Sequence, residues 1–258
     1  MKSRTQARVK IYGERNTGTN YLSALLDKNL DVELLPGVVP LAVDVVQALF
    51  PGREAVKTLY NSLTFARNLG WKHMLVGDDD HLQQCQLHAP RLLCITLTKN
   101  PYSWLLSLHR RPHNHPSYEK RPPDFDTFLR SAWPAIGREN VKGSFKGPVD
   151  LWNRKNAAYV ALAREIDVVS LRYEELVSDP RRAVAEVAER LGIDHDSTSF
   201  ENISKSTKGD AKTFDSYQSY YAEDRWKNQL DASSLAFINQ QLDHDLRERL
   251  GYELIGRS

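Results

Sequence analysis

Apolar residues follow two alternating rhythms along the chain. Val9–Tyr12 is a short apolar run of strand length. The segment Gly13-Glu-Arg-Asn-Thr-Gly18-Thr-Asn20 follows it, and then Tyr21, Leu22, Leu25 and Leu26, whose spacing predicts one face of a helix. Helices are also predicted over Leu41–Phe50 and over Arg53–Leu69, the latter ended by Gly70. Trp71–Val76 reads as a strand. Arg91–Thr98 is continuously apolar, as strands buried on both faces of a parallel sheet are. Pro101 suits the first turn of the next helix, where a missing N–H is no loss.

The second half repeats the alternation. Val149, Trp152, Asn156, Tyr159, Ala163 and Ile166 fall on one helix face, and Asp167–Leu171 is the strand after it. Asp179-Pro180 supplies an N-cap and an N1 proline to a helix that Gly192 ends. Leu235, Ile238, Leu242, Leu246 and Leu250 predict one C-terminal helix, closed by Gly251. Strands alternating with helices imply an α/β fold of three layers: a mostly parallel central sheet with helices on both faces. The expectation is one domain over 1–258. Two stretches break the rhythm. Residues 112–148 hold six of the twelve prolines, and residues 194–230 are polar without a long apolar stripe. Long irregular segments of this kind serve as lids or mobile loops, or are tolerated surface insertions.

Composition narrows the function classes. With 35 Lys+Arg against 33 Asp+Glu, the net charge of +2 is too small for a polybasic nucleic-acid binder. Two cysteines, Cys85 and Cys94, make neither a disulfide framework nor a four-thiolate metal site. No leader with an apolar core and no run of 18 apolar residues is visible, so a cytoplasmic protein without membrane contact is expected.

Two motifs carry chemistry. Gly13-x4-Gly18-Thr19-Asn20 between a strand and a helix has the outer spacing of a phosphate-binding loop, with Thr19 where the usual lysine belongs. Converging N–H groups and the positive end of a helix favour an anion there. Thr17 and Thr19 add hydroxyls and Arg15 adds charge. The missing lysine argues against ordinary ATP or GTP chemistry. The second motif, Lys99-Asn-Pro-Tyr-Ser-Trp-Leu-Leu-Ser107, follows the strongest strand. Lys99 at a strand's carboxyl end and Ser107 in the next helix can grip one phosphate, at the sheet edge where open α/β sheets bind ligands.

Together these motifs resemble the sulfotransferases that use PAPS (3′-phosphoadenosine 5′-phosphosulfate). Asn16-Thr17-Gly18-Thr19-Asn20 is similar to the family's loop for the 5′-phosphosulfate. Lys99-Asn100-Pro101 with Ser107 is similar to its 3′-phosphate motif. Arg172-Tyr173-Glu174-Glu175-Leu176 before Asp179-Pro180 resembles a third family segment, which makes Tyr173 an adenine neighbour. Trp71-Lys72-His73 resembles the strand end that carries the base, which makes His73 the general base. Lys205, Lys208 and Gly209 echo a loop that covers the nucleotide, and Trp226-Lys227 is a weaker echo. The resemblance implies transfer of a sulfuryl group from PAPS, leaving PAP, to a small-molecule or glycan acceptor, with no metal. Its acceptor pocket would be built from residues 71–80, 112–148 and parts of 194–230.

The departures are specific. Asn16 stands where the family has a basic residue, so Arg15 from a shifted position, or Lys72, would supply that charge. Lys99 replaces an arginine and gives up its bidentate fork. A kinase of the phosphate-loop class and a non-catalytic nucleotide-binding module are the alternatives. Asp78-Asp79-Asp80 reads as a solvated turn that starts a helix. His109, His113 and His115 lack the acidic and Cys partners of a metal site. Trp104, Trp152 and Trp226 read as packing, and Asn156 as a hydrogen-bonded core amide.

Overall fold

The computed structural model describes residues 7–50, 54–112, 124–194, 197–204 and 213–256. Four parallel strands form the central sheet: β1 (Arg8–Gly13), β2 (Glu33–Leu34), β3 (Leu92–Thr98) and, after two strands outside this sheet, β6 (Val168–Arg172). Their order is β2-β1-β3-β6. Val9 lies beside Leu93 and Ile95 beside Val169, so apolar positions stack across the sheet in register. A separate antiparallel pair joins β4 (Trp133–Pro134) to β5 (Ser144–Phe145).

Alternation along the strands divides the core. Val9, Ile11, Leu93, Ile95, Leu97, Val169 and Leu171 pack against α1 (Thr19–Asn29) and the later helix α9 (Pro180–Leu191). Tyr12 and Cys94 point the other way, towards Cys85 on α4 (Asp79–His88) and Tyr159 and Leu162 on α7 (Pro148–Glu165). Helices therefore cover both faces. A second apolar cluster joins α5 (Pro101–Arg110), α6 (Phe125–Arg130), α7, α11 (Ala232–Gln241) and α12 (His244–Arg249).

Most predicted elements form at their predicted places, including α2 (Leu41–Ala48) and α3 (Ala55–Asn68). Three differences have physical causes. Trp71–Val76 is a turn and not a strand. Leu69 and Gly70 both take left-handed backbone (φ 57° and 77°), which reverses the chain just before Trp71. Lys10 Nζ then donates to the carbonyls of Pro36, Asn68 and Gly70, which matches the three protons of an ammonium and fixes the reversal. The C-terminal stripe is two helices, because Asp243 caps α12 by accepting from Leu246 N at 3.0 Å. Asn153 Oδ1 holds Asp243 N at 3.1 Å on the same bend. Finally, the polar segment 194–230 contains α10 (Phe214–Ala222), and Tyr173–Ser178 is a short helix, α8. Neither has an apolar stripe long enough to mark it in sequence. Asp78 does cap α4, accepting from His81 N at 2.9 Å.

Candidate functional site

The strand β1 ends at Gly13 and the helix α1 begins at Thr19, so the loop between them lies at the carboxyl edge of the sheet. Asn16 (φ 65°) and Gly18 (φ 89°) both adopt left-handed backbone, a pattern that turns successive N–H groups inward. Gly18 is the N-cap of α1 and gives it no side-chain cap, while the first N–H groups of any helix lack intrahelical acceptors. The Thr17 hydroxyl donates to the Glu14 carbonyl at 2.6 Å and so shapes the loop from within. A Cβ on Gly13 would lie 2.8 Å from Thr17 Oγ1 and 2.9 Å from Leu97 O, which is why only glycine fits there.

Lys99 leaves β3 beside this loop. Its ammonium is buried, donates to Ser107 Oγ at 3.0 Å and to the Tyr221 hydroxyl at 2.6 Å, and sits 4.6 Å from the centre of the Tyr173 ring. Burial pulls its pKa down to about 7, although the Glu174 carboxylate opposes the fall. Trp152 Nε1 fixes the Lys99 carbonyl at 2.9 Å, and Trp104 Nε1 fixes that of Arg15 at 2.7 Å. These tryptophans are core residues whose N–H groups hold the site backbone.

A cavity of about 400 Å³ opens here, lined by Asn16, Lys99, Ser107, Arg110, Arg111, Tyr173, Ser216, Tyr217, Tyr220, Tyr221 and Arg225. It joins the two motifs. The Tyr173 ring, over which Lys99 lies, is also 2.8 Å from the place a Cβ on Gly18 would take. Arg110, Arg111, Arg225 and the three tyrosines of α10 were not expected from the sequence. Two signals pointed to them: the Arg110-Arg111 pair one turn beyond Ser107, and tyrosines at i, i+3 and i+4 over 217–221.

On the other side of the loop, Lys72 Nζ donates to Asn20 Oδ1 on the first turn of α1. Burial lowers its pKa to about 8. His73 is buried, its Nδ1 donates to the Gly13 carbonyl, and its ring meets Trp71 edge-on at 4.8 Å. Burial, then the Lys72 and Arg15 cations, push its pKa well below 6.5. With Nδ1–H engaged, the lone pair of the neutral ring is on Nε2. Lys72 and Asn20 also line a smaller recess of about 100 Å³ with Thr19 and Gly37.

Arg15 occupies a different position from the one its sequence place suggested. Its guanidinium is buried between Glu14 and Glu139, 2.8 Å from Oε1 of each. Burial pulls its pKa down, but the two carboxylates carry it above the ordinary value. The cation that reaches the helix end is Lys72. Lys205, Lys208, Gly209, His113 and His115 lie outside the described residues. Trp226 stacks on Tyr102 in the second core, and Lys227 pairs with Asp224 at 2.5 Å. His109 lies against Phe125 and Phe128. Asn156 Nδ2 donates to the Trp152 carbonyl at 2.7 Å. Among the described residues no cluster of His, Cys, Asp and Glu could hold a metal ion, and no helix is long and apolar enough to cross a membrane.

A groove of about 280 Å³ lies beyond Trp71, lined by Thr58, Asn61, Ser62 and Phe65 of α3 with Trp71, Met74, Asp78, Asp80, Gly137, Arg138 and Asn140. Residues 71–80 and part of 112–148 therefore meet in one groove. None of the described residues of 194–230 lines this groove; its helix α10 covers the cavity of Lys99 instead. The α3 wall was not foreseen.

Residues 8–257 match the sulfotransferase domain family. A mouse sulfotransferase complexed with PAP superposes with a TM-score of 0.55 at 13% identity, over 95% of this chain and 88% of that one. The sulfotransferase domain of the Synechococcus PCC 7002 olefin synthase gives 0.51 at 18% identity, over 96% and 95%. The sulfotransferase domain from the curacin biosynthetic pathway gives 0.50 at 13% identity, over 98% and 100%. No curated protein matches the chain in sequence.

Proposed function

The chain belongs to the sulfotransferase domain family, and from that membership we propose that it transfers a sulfuryl group from PAPS to a hydroxyl or amine of a small-molecule or glycan acceptor. One observation carries the reading: Asn16 of the N-terminal loop and Lys99 of β3 face the same cavity of about 400 Å³. A nucleotide phosphorylated at both the 3′ and the 5′ position of its ribose needs two anion sites one sugar apart, and this cavity adjoins both.

The residues fit such a ligand. Lys99, Ser107, Arg110, Arg111 and Arg225 would hold the 3′-phosphate, and Tyr173, Tyr217, Tyr220 and Tyr221 present aromatic surface to the adenine. The N–H groups at the start of α1, with Thr17, Gly18, Thr19 and Asn20, would hold the 5′-phosphosulfate, and Lys72 adds charge at that helix end. Bound PAPS supplies the activated sulfuryl group, and negative charge grows on the departing 5′-phosphate. Fixed donors at the helix end stabilise that charge, and losing one such donor typically raises a barrier by about 3–4 kcal/mol.

In this reading the acceptor enters by the groove beside Trp71, whose lining holds Trp71 and Met74 but not His73, and the Nε2 of His73, between those two in the chain, takes its proton. A pKa well below 6.5 keeps the imidazole neutral, with its Nε2 lone pair available, throughout the neutral range, while lowering its basicity. Arg15 holds the loop together from inside the fold and is not among the phosphate ligands of this reading.

Thermal shifts with PAP, AMP and ATP, each with and without Mg²⁺, test the donor site. PAP is expected to stabilise most, independently of Mg²⁺, and preferential stabilisation by ATP–Mg²⁺ would favour a kinase. Transfer of labelled sulfate from PAPS to an acceptor library tests the reaction. PAP binding with no transfer to any acceptor would make the chain a binding module.

A further inference from the structure

Between the Gly13–Thr19 loop, the donor cradle of this reading, and the His73 turn lies a closed set of buried charges that the transfer chemistry above does not use. Lys155, on α7, has no exposed side-chain surface. Its Nζ donates to the His73 carbonyl and forms an ion pair at 3.6 Å with Glu14 Oε2, a buried oxygen with no hydrogen-bond partner. The other oxygen of Glu14 accepts from Arg15 N at 2.7 Å and from its guanidinium at 2.8 Å. Arg15 passes the chain of contacts to Glu139, whose Oε2 accepts from Ile136 N at 3.1 Å and whose carbonyl accepts from Leu75 N at 2.7 Å. Two cations thus balance two carboxylates, all of them buried.

The contacts converge on one turn. Gly13 N donates to the Lys72 carbonyl at 3.0 Å, Gly13 O accepts from the His73 ring, Lys155 holds the His73 carbonyl, and the Glu139 carbonyl holds Leu75 N. A leucine or methionine would fill the place of Lys155 on this buried helix face with far less desolvation. What the ammonium adds is direction: a hydrogen bond to one backbone carbonyl and an ion pair to the loop that carries the cradle.

We propose that Lys155, paired with Glu14, is a positioning residue that fixes the His73 turn against the donor cradle, so that base and cradle keep one geometry. The proposal rests on His73 acting as the base. The charged groups facing the His73 ring are Lys72 on its own turn, Arg15 from the loop and Lys155 from α7, with Glu14 behind the last two.

The test uses the full chain labelled with ¹³C,¹⁵N-histidine, with His73 assigned by comparison with His73→Gln. The wild-type ring is expected as the Nδ1–H tautomer, neutral at pH 6.5. In Lys155→Met one facing cation is gone and the Arg15 guanidinium is left to balance both Glu14 and Glu139, so the ring should titrate at higher pH and its Nδ1–H resonance should broaden. Stabilisation by PAP should persist, and turnover should fall at least about tenfold while KM for PAPS stays within about threefold, the pattern of a misplaced catalytic group. If Lys155→Met does not fold, Glu14→Gln/Lys155→Met removes both charges and leaves neither orphaned. The same loss of the Nδ1–H resonance and of turnover is expected there. Unchanged His73 resonances and turnover in a folded variant would overturn the proposal. Failure of the wild type to bind PAP would instead remove the functional reading, while the resonances would still decide whether Lys155 fixes the ring.

Discussion

Raising the pH from 7 to 9 should weaken PAP binding through Lys99. In the free protein burial holds this ammonium at about 7 against an ordinary 10.5, a gap equivalent to about 5 kcal/mol in favour of the neutral amine. A phosphate dianion against Nζ reverses the preference, so binding above pH 7 must take up a proton. If the bound lysine stays charged, the dissociation constant scales as 1 + 10^(pH − 7), which is about fifty-fold between pH 7 and 9. The phosphates of PAP are already fully ionised above about pH 7 and add little to the trend. Isothermal titration in buffers of different ionisation enthalpy reads the proton count, to which Lys99 is expected to contribute nearly one at pH 8.5. Lys72, at about 8, adds a smaller uptake that begins one unit higher. Lys99→Arg supplies the control: a guanidinium stays charged, so most of the pH dependence should vanish. A wild-type affinity flat from pH 7 to 9, or an unchanged slope in Lys99→Arg, would refute the reasoning.

The ligand-free protein should show the opposite trend. Lys99 is near 7 folded and 10.5 unfolded, so the unfolded chain holds more protons between those values, and stability rises with pH across that window by up to about 1.4 kcal/mol per pH unit. Melting temperatures from pH 7 to 9.5 should climb while the extra stabilisation by PAP shrinks. Gly18→Ala forces a side chain onto a φ of 89° and sets its Cβ 2.8 Å from the Tyr173 ring. Urea unfolding should show a loss of about 1–3 kcal/mol, and PAP affinity should fall with it. Arg110→Ala removes one cation from the cavity and should weaken PAP about tenfold while leaving AMP, which lacks the 3′-phosphate, within about twofold. His73→Ala should cut sulfuryl transfer at least about a hundredfold with PAP affinity nearly intact; wild-type turnover would exclude it as the base.

The sheet was legible because its signals are local. Leu92–Thr98 carries Leu93, Ile95 and Leu97 on one face and is buried along nearly its whole length, and Asn100 and Asp179 cap helices through N–H groups two or three residues away. Such features depend on neighbours in the chain, so a sequence displays them. The two motifs proposed to bind phosphate were legible for the same reason: glycines, hydroxyls and a lysine at fixed offsets from a strand end. The reversal at Leu69–Gly70 was not, because Lys10 holds it across 58 and 60 residues of chain.

By itself, then, the sequence determined the alternation of strands and helices, the loop at the end of β1 and the lysine at the end of β3. Only the tertiary structure decided which cation serves which anion. Arg15 looked like the charge of the loop, yet a carboxylate 124 residues away holds its guanidinium, and Lys72 reaches the helix end in its stead. Likewise Arg110, Arg225 and the α10 tyrosines meet Lys99 only because separate elements converge on one cavity. Charges find their partners through space, and burial fixes the pairing by making an unpaired charge costly. Sequence spacing carries neither that proximity nor that burial.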